Sequence, residues 1–76
     1  MTTRYKHIHF TEEPTMITED KSTWFCRNNK TKDVLGTVTW YAPWRRWVFE
    51  GEPDCLFDHN CLRDVIDFLQ KQLGEV

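Results

Sequence analysis

Apolar and polar residues alternate most cleanly between Val34 and Glu50, and that stretch predicts a pair of strands. Val34–Tyr41 (VLGTVTWY) is rich in β-branched and aromatic residues. Val34, Gly36, Val38 and Trp40 fall on one face of it, and Leu35, Thr37, Thr39 and Tyr41 on the other. Gly36 weakens a strand interior and so marks a bulge or a close approach by another element. Ala42-Pro43-Trp44 makes a turn in which Pro43 fixes φ. Arg45–Glu50 (RRWVFE) returns, with Arg45, Trp47 and Phe49 opposite Arg46, Val48 and Glu50. Upstream, Thr23–Arg27 (TWFCR) reads as a third strand. It is joined by Asn28–Asp33 (NNKTKD), where the paired Asn residues suit left-handed backbone. Residues 23–50 therefore read as an antiparallel meander.

The period changes after Gly51-Glu52-Pro53-Asp54, which breaks the sheet. Asp58 is placed to cap a helix. Phe57 before it and Leu62 four residues into the helix match a hydrophobic staple. Leu62, Val65, Ile66, Leu69 and Leu73 then recur at helical spacing as one apolar stripe, and Gly74 supplies a stop. The predicted helix spans 58–73. Residues 1–22 read as a leader: a short strand over Tyr5–Phe10, then a polar loop from Thr11 to Ser22 with no sustained period. The expected fold is α+β, one small domain over 1–76. It has an antiparallel β-meander of three or four strands and one C-terminal helix packed on one face. The expected core is Trp24, Cys26, Leu35, Val38, Trp40, Trp47, Phe49, Phe57, Leu62, Val65, Ile66 and Leu69, with the indoles supplying much of it. One helix covers one face, so aromatic residues on the far face stay exposed, lie under the leader or meet a second copy in a symmetric dimer.

Size and charge narrow the classes. A chain of 76 residues has room for one core. It buries only roughly 60–65% of the surface it exposes when unfolded. A net charge of −2 disfavours general phosphate binding, although a local basic patch is compatible with it. No apolar run approaches the roughly 20 residues that span a bilayer, and no signal peptide opens the chain. Cys26, Cys55 and Cys61 are odd in number and fit a reducing compartment. The expected location is the cytoplasm.

Candidate chemistry is sparse. His7, His9, Cys26, Cys55, His59 and Cys61 are metal-ligand types, and Cys55-x₃-His59-x-Cys61 gathers three of them. The usual Cys-x₂-Cys or His-x₃-His spacing is missing, so no metal or cofactor is expected. A Cys–His nucleophile would use Cys61, whose place near a helix N-terminus would lower its pKa. No accompanying motif is present, and the chain is not expected to be an enzyme. The acidic residues are scattered, as on a solvated surface. Trp44-Arg45-Arg46-Trp47 is the sharpest feature, since three of the four tryptophans lie within eight residues. Arg beside aromatics suits a protein-binding hot spot, or base stacking and phosphate pairing on a single strand. The plain alternative keeps Trp40, Trp47 and Phe49 in the core with the arginines covering ring faces. The candidate binding residues are Tyr41, Trp44, Arg45, Arg46 and Trp47.

Across about Trp24–Leu69 the chain resembles a family of short bacteriophage- and prophage-encoded proteins of unknown function. The resemblance rests on Leu35-Gly36, Thr39-Trp40-Tyr41, Trp44-Arg45 and Val48-Phe49, then on Phe57, Cys61-Leu62, Asp64, Ile66 and Phe68-Leu69. It implies a phage or prophage origin and a small meander-plus-helix fold. It brings no activity and no catalytic residue. The functional expectation is a non-enzymatic accessory protein that binds a host protein, in host takeover or counter-defence, within the bacterial cytoplasm. The alternative is a single-stranded nucleic-acid or nucleotide binder using the Trp/Arg hairpin.

Overall fold

The computed structural model describes residues 1–74. Four strands form one antiparallel sheet in chain order: β1 (Ile8–Thr18), β2 (Lys21–Asn28), β3 (Val34–Tyr41) and β4 (Arg46–Gly51). A helix follows, α1 (His59–Asp67), and runs on into a π-helical turn over Phe68–Gln72. The fold is the α+β meander with a C-terminal helix that the residue pattern predicts.

The N-terminal third differs from expectation. The Thr11–Ser22 segment is not a loop but most of an 11-residue strand and its hairpin. Phe10 pairs with Cys26 and Glu12 with Trp24. The register then shifts between Glu13 and Ile17. That irregularity spans Pro14, which lacks the N–H a ladder needs, and it hides the alternation that would have revealed the strand. Thr18 pairs with Lys21, so Glu19 and Asp20 alone make the turn, at φ 52° and 64°. Two left-handed residues match the twist of a hairpin, but the usual Asn-Gly signal is absent. The leader is anchored as well. The Phe10 N–H donates to the Thr3 carbonyl at 2.7 Å and the Tyr5 N–H to the Ile8 carbonyl at 2.8 Å, folding residues 3–7 back along β1. Asn29 ties this segment from the other side. Its Nδ2 donates to the Tyr5 carbonyl at 2.8 Å, and its Oδ1 lies 2.7 Å from His9 Nδ1. In the β2–β3 turn it is Lys32, at φ 68°, that takes the left-handed conformation. Asn28 instead accepts the Lys30 and Thr31 N–H groups through its side chain.

Register sorts the side chains. Phe10, Trp24, Cys26, Val38, Trp40, Trp47 and Phe49 share the inner face. Gly36 meets both of the conditions that a glycine there suggested. The β2–β3 register shifts beside it, and a Cβ at this position would lie 2.5 Å from Phe49 Cζ and 2.8 Å from the Glu50 carbonyl. On the outer face Arg27 covers the Phe25 ring at 5.3 Å, and Tyr41 stays exposed.

The fully buried core is Ile8, Phe10, Cys26, Val38, Val65 and Phe68. No tryptophan belongs to it. Trp24, Leu35, Trp47, Phe49, Phe57 and Leu69 are half-buried against it, which corrects the expectation that the indoles make the centre. Trp40 is half-buried too.

Asp58 caps α1 as expected, its Oδ1 accepting the Cys61 N–H at 2.8 Å. The predicted stripe is borne out at Val65, which is buried, and at Leu69 and Leu73, which pack against the core, but not at its other two positions. Leu62 and Ile66 are 46% and 51% exposed, whereas Phe68 is fully buried. Phe68 stacks on Phe10 with centroids 4.0 Å apart and meets Trp24 edge-on at 5.2 Å. The helix carries two overlapping apolar rows: Val65 and Phe68 turn inward with Leu69 at their edge, Leu62 and Ile66 turn outward, and the larger ring decides between them. The Leu73 N–H then bonds the Phe68 carbonyl at 3.1 Å, a five-residue step that widens the turn and brings Leu73 back toward the sheet. Gly74 ends the helix at φ 76°.

The helix is fixed over the β1–β2 half of the inner face. The Tyr5 hydroxyl donates to Asp67 Oδ2 at 2.8 Å, and the Thr2 N–H donates to Gln72 Oε1 at 2.7 Å. Phe57 reaches the β4 side and meets Phe49 at 5.3 Å. Among the described residues, the helix reaches the turn end of the β3–β4 hairpin only through Leu73 and Gly74 at its C-terminal end. No helix among the described residues is long and apolar enough to cross a membrane.

Candidate functional site

The turn end of the hairpin holds most of the residues that the sequence marks for binding. Trp40 and Trp47 are a cross-strand pair on the inner face, edge-on with centroids 5.8 Å apart. Such pairs stabilise a hairpin and fix both rings. Ala42–Arg45 form the turn, closed by the Trp44 N–H on the Tyr41 carbonyl at 3.2 Å and the Arg45 N–H on the Ala42 carbonyl at 3.0 Å. Arg45 is therefore a turn residue at φ 53° and not the first residue of β4. Trp44 projects from this turn and is 67% exposed. It is still held, edge-on to Tyr41 at 5.0 Å.

Trp44 separates two concave surfaces. On the helix side is an open cleft of about 450 Å³, walled by Trp40, Trp44 and Trp47 and closed by Leu73 and Gly74 at the helix end. Lys21, Arg45 and Arg46 also line it. The Lys21 ammonium lies 4.7 Å from the centroid of the Trp40 ring, a cation–π contact that keeps the charge over the cleft. On the other side a shallower groove of about 350 Å³ runs beside β4, lined by Thr39, Tyr41, Trp44, Val48, Phe49 and Glu50. The strand order leaves β4 at the sheet edge.

Trp44, Arg45, Arg46 and Trp47 thus converge on one cleft, while Tyr41 lines the opposite groove and reaches the others only through Trp44. Lys21 is the residue that sequence reasoning missed. It follows a turn carrying no glycine or asparagine, and with that turn unread nothing linked it to the hairpin. Trp40, expected in the core, is a cleft wall.

The cysteines gather elsewhere, under the start of the helix. Burial pushes the Cys26 thiol up to about 12, and the nearby Cys61 and Cys55 add to this. A nucleophilic Cys61 would need its pKa lowered by its place in the first turn. It is raised instead, by burial first and then by the Asp58 carboxylate that caps the same turn. The acid that caps the helix start also opposes a thiolate there. Among the described residues, no three His, Cys, Asp or Glu side chains are grouped to hold a metal ion.

Comparison of the chain with protein-family models, with curated proteins and with solved structures finds no match in any of the three.

Proposed function

We propose that the chain is a non-enzymatic accessory protein of phage or prophage type, which works in the bacterial cytoplasm by binding a host protein through the β3–β4 hairpin tip. The observation that carries this reading is the state of Trp44: 67% exposed, yet held by the Tyr41 ring and by a hydrogen-bonded turn. A large ring held in water gives a partner contact area at little further cost in side-chain freedom, and Trp, Tyr and Arg dominate protein-binding hot spots. Tyr41, Trp44 and Arg45 supply all three types at one protruding turn.

The test is paired capture from bacterial lysate with wild-type protein and Trp44→Ala. A hot-spot tryptophan is worth about 2 kcal/mol or more, or roughly thirtyfold in affinity. The expected result is a discrete host protein retained by the wild type and lost with Trp44→Ala. Equal recovery by both proteins, or no specific protein with either, refutes the tip as the contact.

A further inference from the structure

We propose that the cleft between the β3–β4 hairpin and the helix end is a binding site for a mononucleotide, with the base against the indoles and the phosphate at Lys21 and Arg45. This goes beyond partner binding at the tip and stands without it. Three indoles wall one concave surface beside the Leu73–Gly74 end of the helix. Its volume of about 450 Å³ falls within the roughly 300–1,000 Å³ of small-molecule sites. Indole faces accept any planar base by stacking. The cations in the cleft exclude an organic cation as the guest and select an anion. A ligand that is both planar and anionic matches both walls.

The surrounding charges decide the extent of the ligand. Glu19 and Asp20 directly precede Lys21 and are exposed. Further phosphates leaving the cleft meet carboxylates, so the site takes one nucleotide and not a strand. The orientation follows from the helix. Its last carbonyls carry partial negative charge at the Leu73–Gly74 side, so the phosphate lies toward Lys21 and Arg45 and the base toward the helix end.

The experiment follows the four indole N–H signals by NMR while AMP is added. Trp24 is the internal control, because its ring packs on Phe68 outside the cleft. Trp40, Trp44 and Trp47 should shift saturably with Trp24 fixed, and adenosine or inorganic phosphate alone should bind at least about tenfold more weakly. Lys21→Gln and Arg45→Asn should each weaken AMP about tenfold, the size of one lost charge-assisted hydrogen bond. Asparagine suits the left-handed backbone at position 45, and an unmoved Trp24 signal reports that each variant is folded. No saturable shift by about 10 mM AMP, an equal shift of Trp24, or unchanged affinity in both variants overturns the proposal. So does a short single-stranded oligoadenylate that binds more than about a hundredfold tighter than AMP, which would make the surface a strand interface. Lys21→Gln leaves the Trp44 tip intact, so loss of AMP binding with host-protein capture retained separates the two functions.

Discussion

Replacing Phe68 with alanine tests the packing on which the rest of the fold depends. The ring is fully buried, stacked on Phe10 at 4.0 Å and edge-on to Trp24 at 5.2 Å, so its removal leaves a hole between the helix and the β1–β2 half of the sheet. Deleting a buried phenyl ring costs about 3–5 kcal/mol. At roughly 0.05–0.15 kcal/mol per residue, a domain of this length has about 4–11 kcal/mol in total. Phe68→Ala should therefore lose a large part of its stability, and at the low end of that range all of it. Ile66 lies two residues earlier and is 51% exposed. Ile66→Ala removes a side chain that already has water on half its surface, and should cost about 1 kcal/mol or less. Urea unfolding followed by tryptophan fluorescence checks both. With a slope near 1 kcal/mol per molar urea, the Phe68→Ala midpoint should fall by about 3 M or more and the Ile66→Ala midpoint by about 1 M at most. Phe68→Leu, which keeps most of the apolar volume, should fall between them. Equal losses for positions 66 and 68, or a larger loss at 66, would mean that the helix presents its Leu62–Ile66 row to the sheet and would refute the packing described above.

At Gly36, a methyl group would meet Phe49 Cζ at 2.5 Å and the Glu50 carbonyl at 2.8 Å, so Gly36→Ala should destabilise by about 1–3 kcal/mol. Thermal unfolding should show a drop of roughly 4–8 °C per kcal/mol, and Phe49→Ala in the same chain should recover part of the added cost; an unchanged melting temperature contradicts the close approach. The Tyr5–Asp67 hydrogen bond predicts a pH dependence with two edges. Asp67 is held below its ordinary value, mainly by the Tyr5 hydroxyl and then by Lys71, so its contribution is present above about pH 4 and fades as the pH falls further. Tyr5 is raised, by burial first and then by Asp67, so its contribution is complete below about pH 10 and fades as the pH rises beyond that. Urea midpoints measured across pH should fall at both edges for the wild type and fall less for Tyr5→Phe; identical profiles would sink the link. Cys26, buried with its thiol pushed up to about 12, should resist thiol reagents at pH 8 until the protein unfolds, and mass-mapped alkylation should find Cys55 and Cys61 labelled first. Early labelling of Cys26 would show that the sheet opens locally at β2.

Much of the fold was legible because it is written in short-range terms. The Asp58 cap, the Gly74 stop and the alternation of Val34–Tyr41 with its return strand each depend on residues a few positions apart, and the structure shows each in place. The β1 strand was not legible. Its alternation is interrupted around Pro14, and its turn uses Glu19 and Asp20 in place of the Asn-Gly or Asp-Gly pair that marks a two-residue hairpin. The candidate site was half legible. Composition drew attention to Trp44, Arg45, Arg46 and Trp47, but a linear pattern could neither add Lys21 nor separate Tyr41 from the cleft.

The sequence by itself determined that this chain forms an antiparallel meander followed by a capped helix, because propensity, turn chemistry and capping act within a few residues. Only the tertiary structure decided which row of the helix is buried and which strands it lies over. Two apolar rows of similar length compete on that helix, and the outcome depends on a ring from β1 more than fifty residues away. With Phe68 stacked on Phe10, the helix sits over β1 and β2, and the Trp40–Trp47 end of the hairpin becomes a cleft and not part of the core.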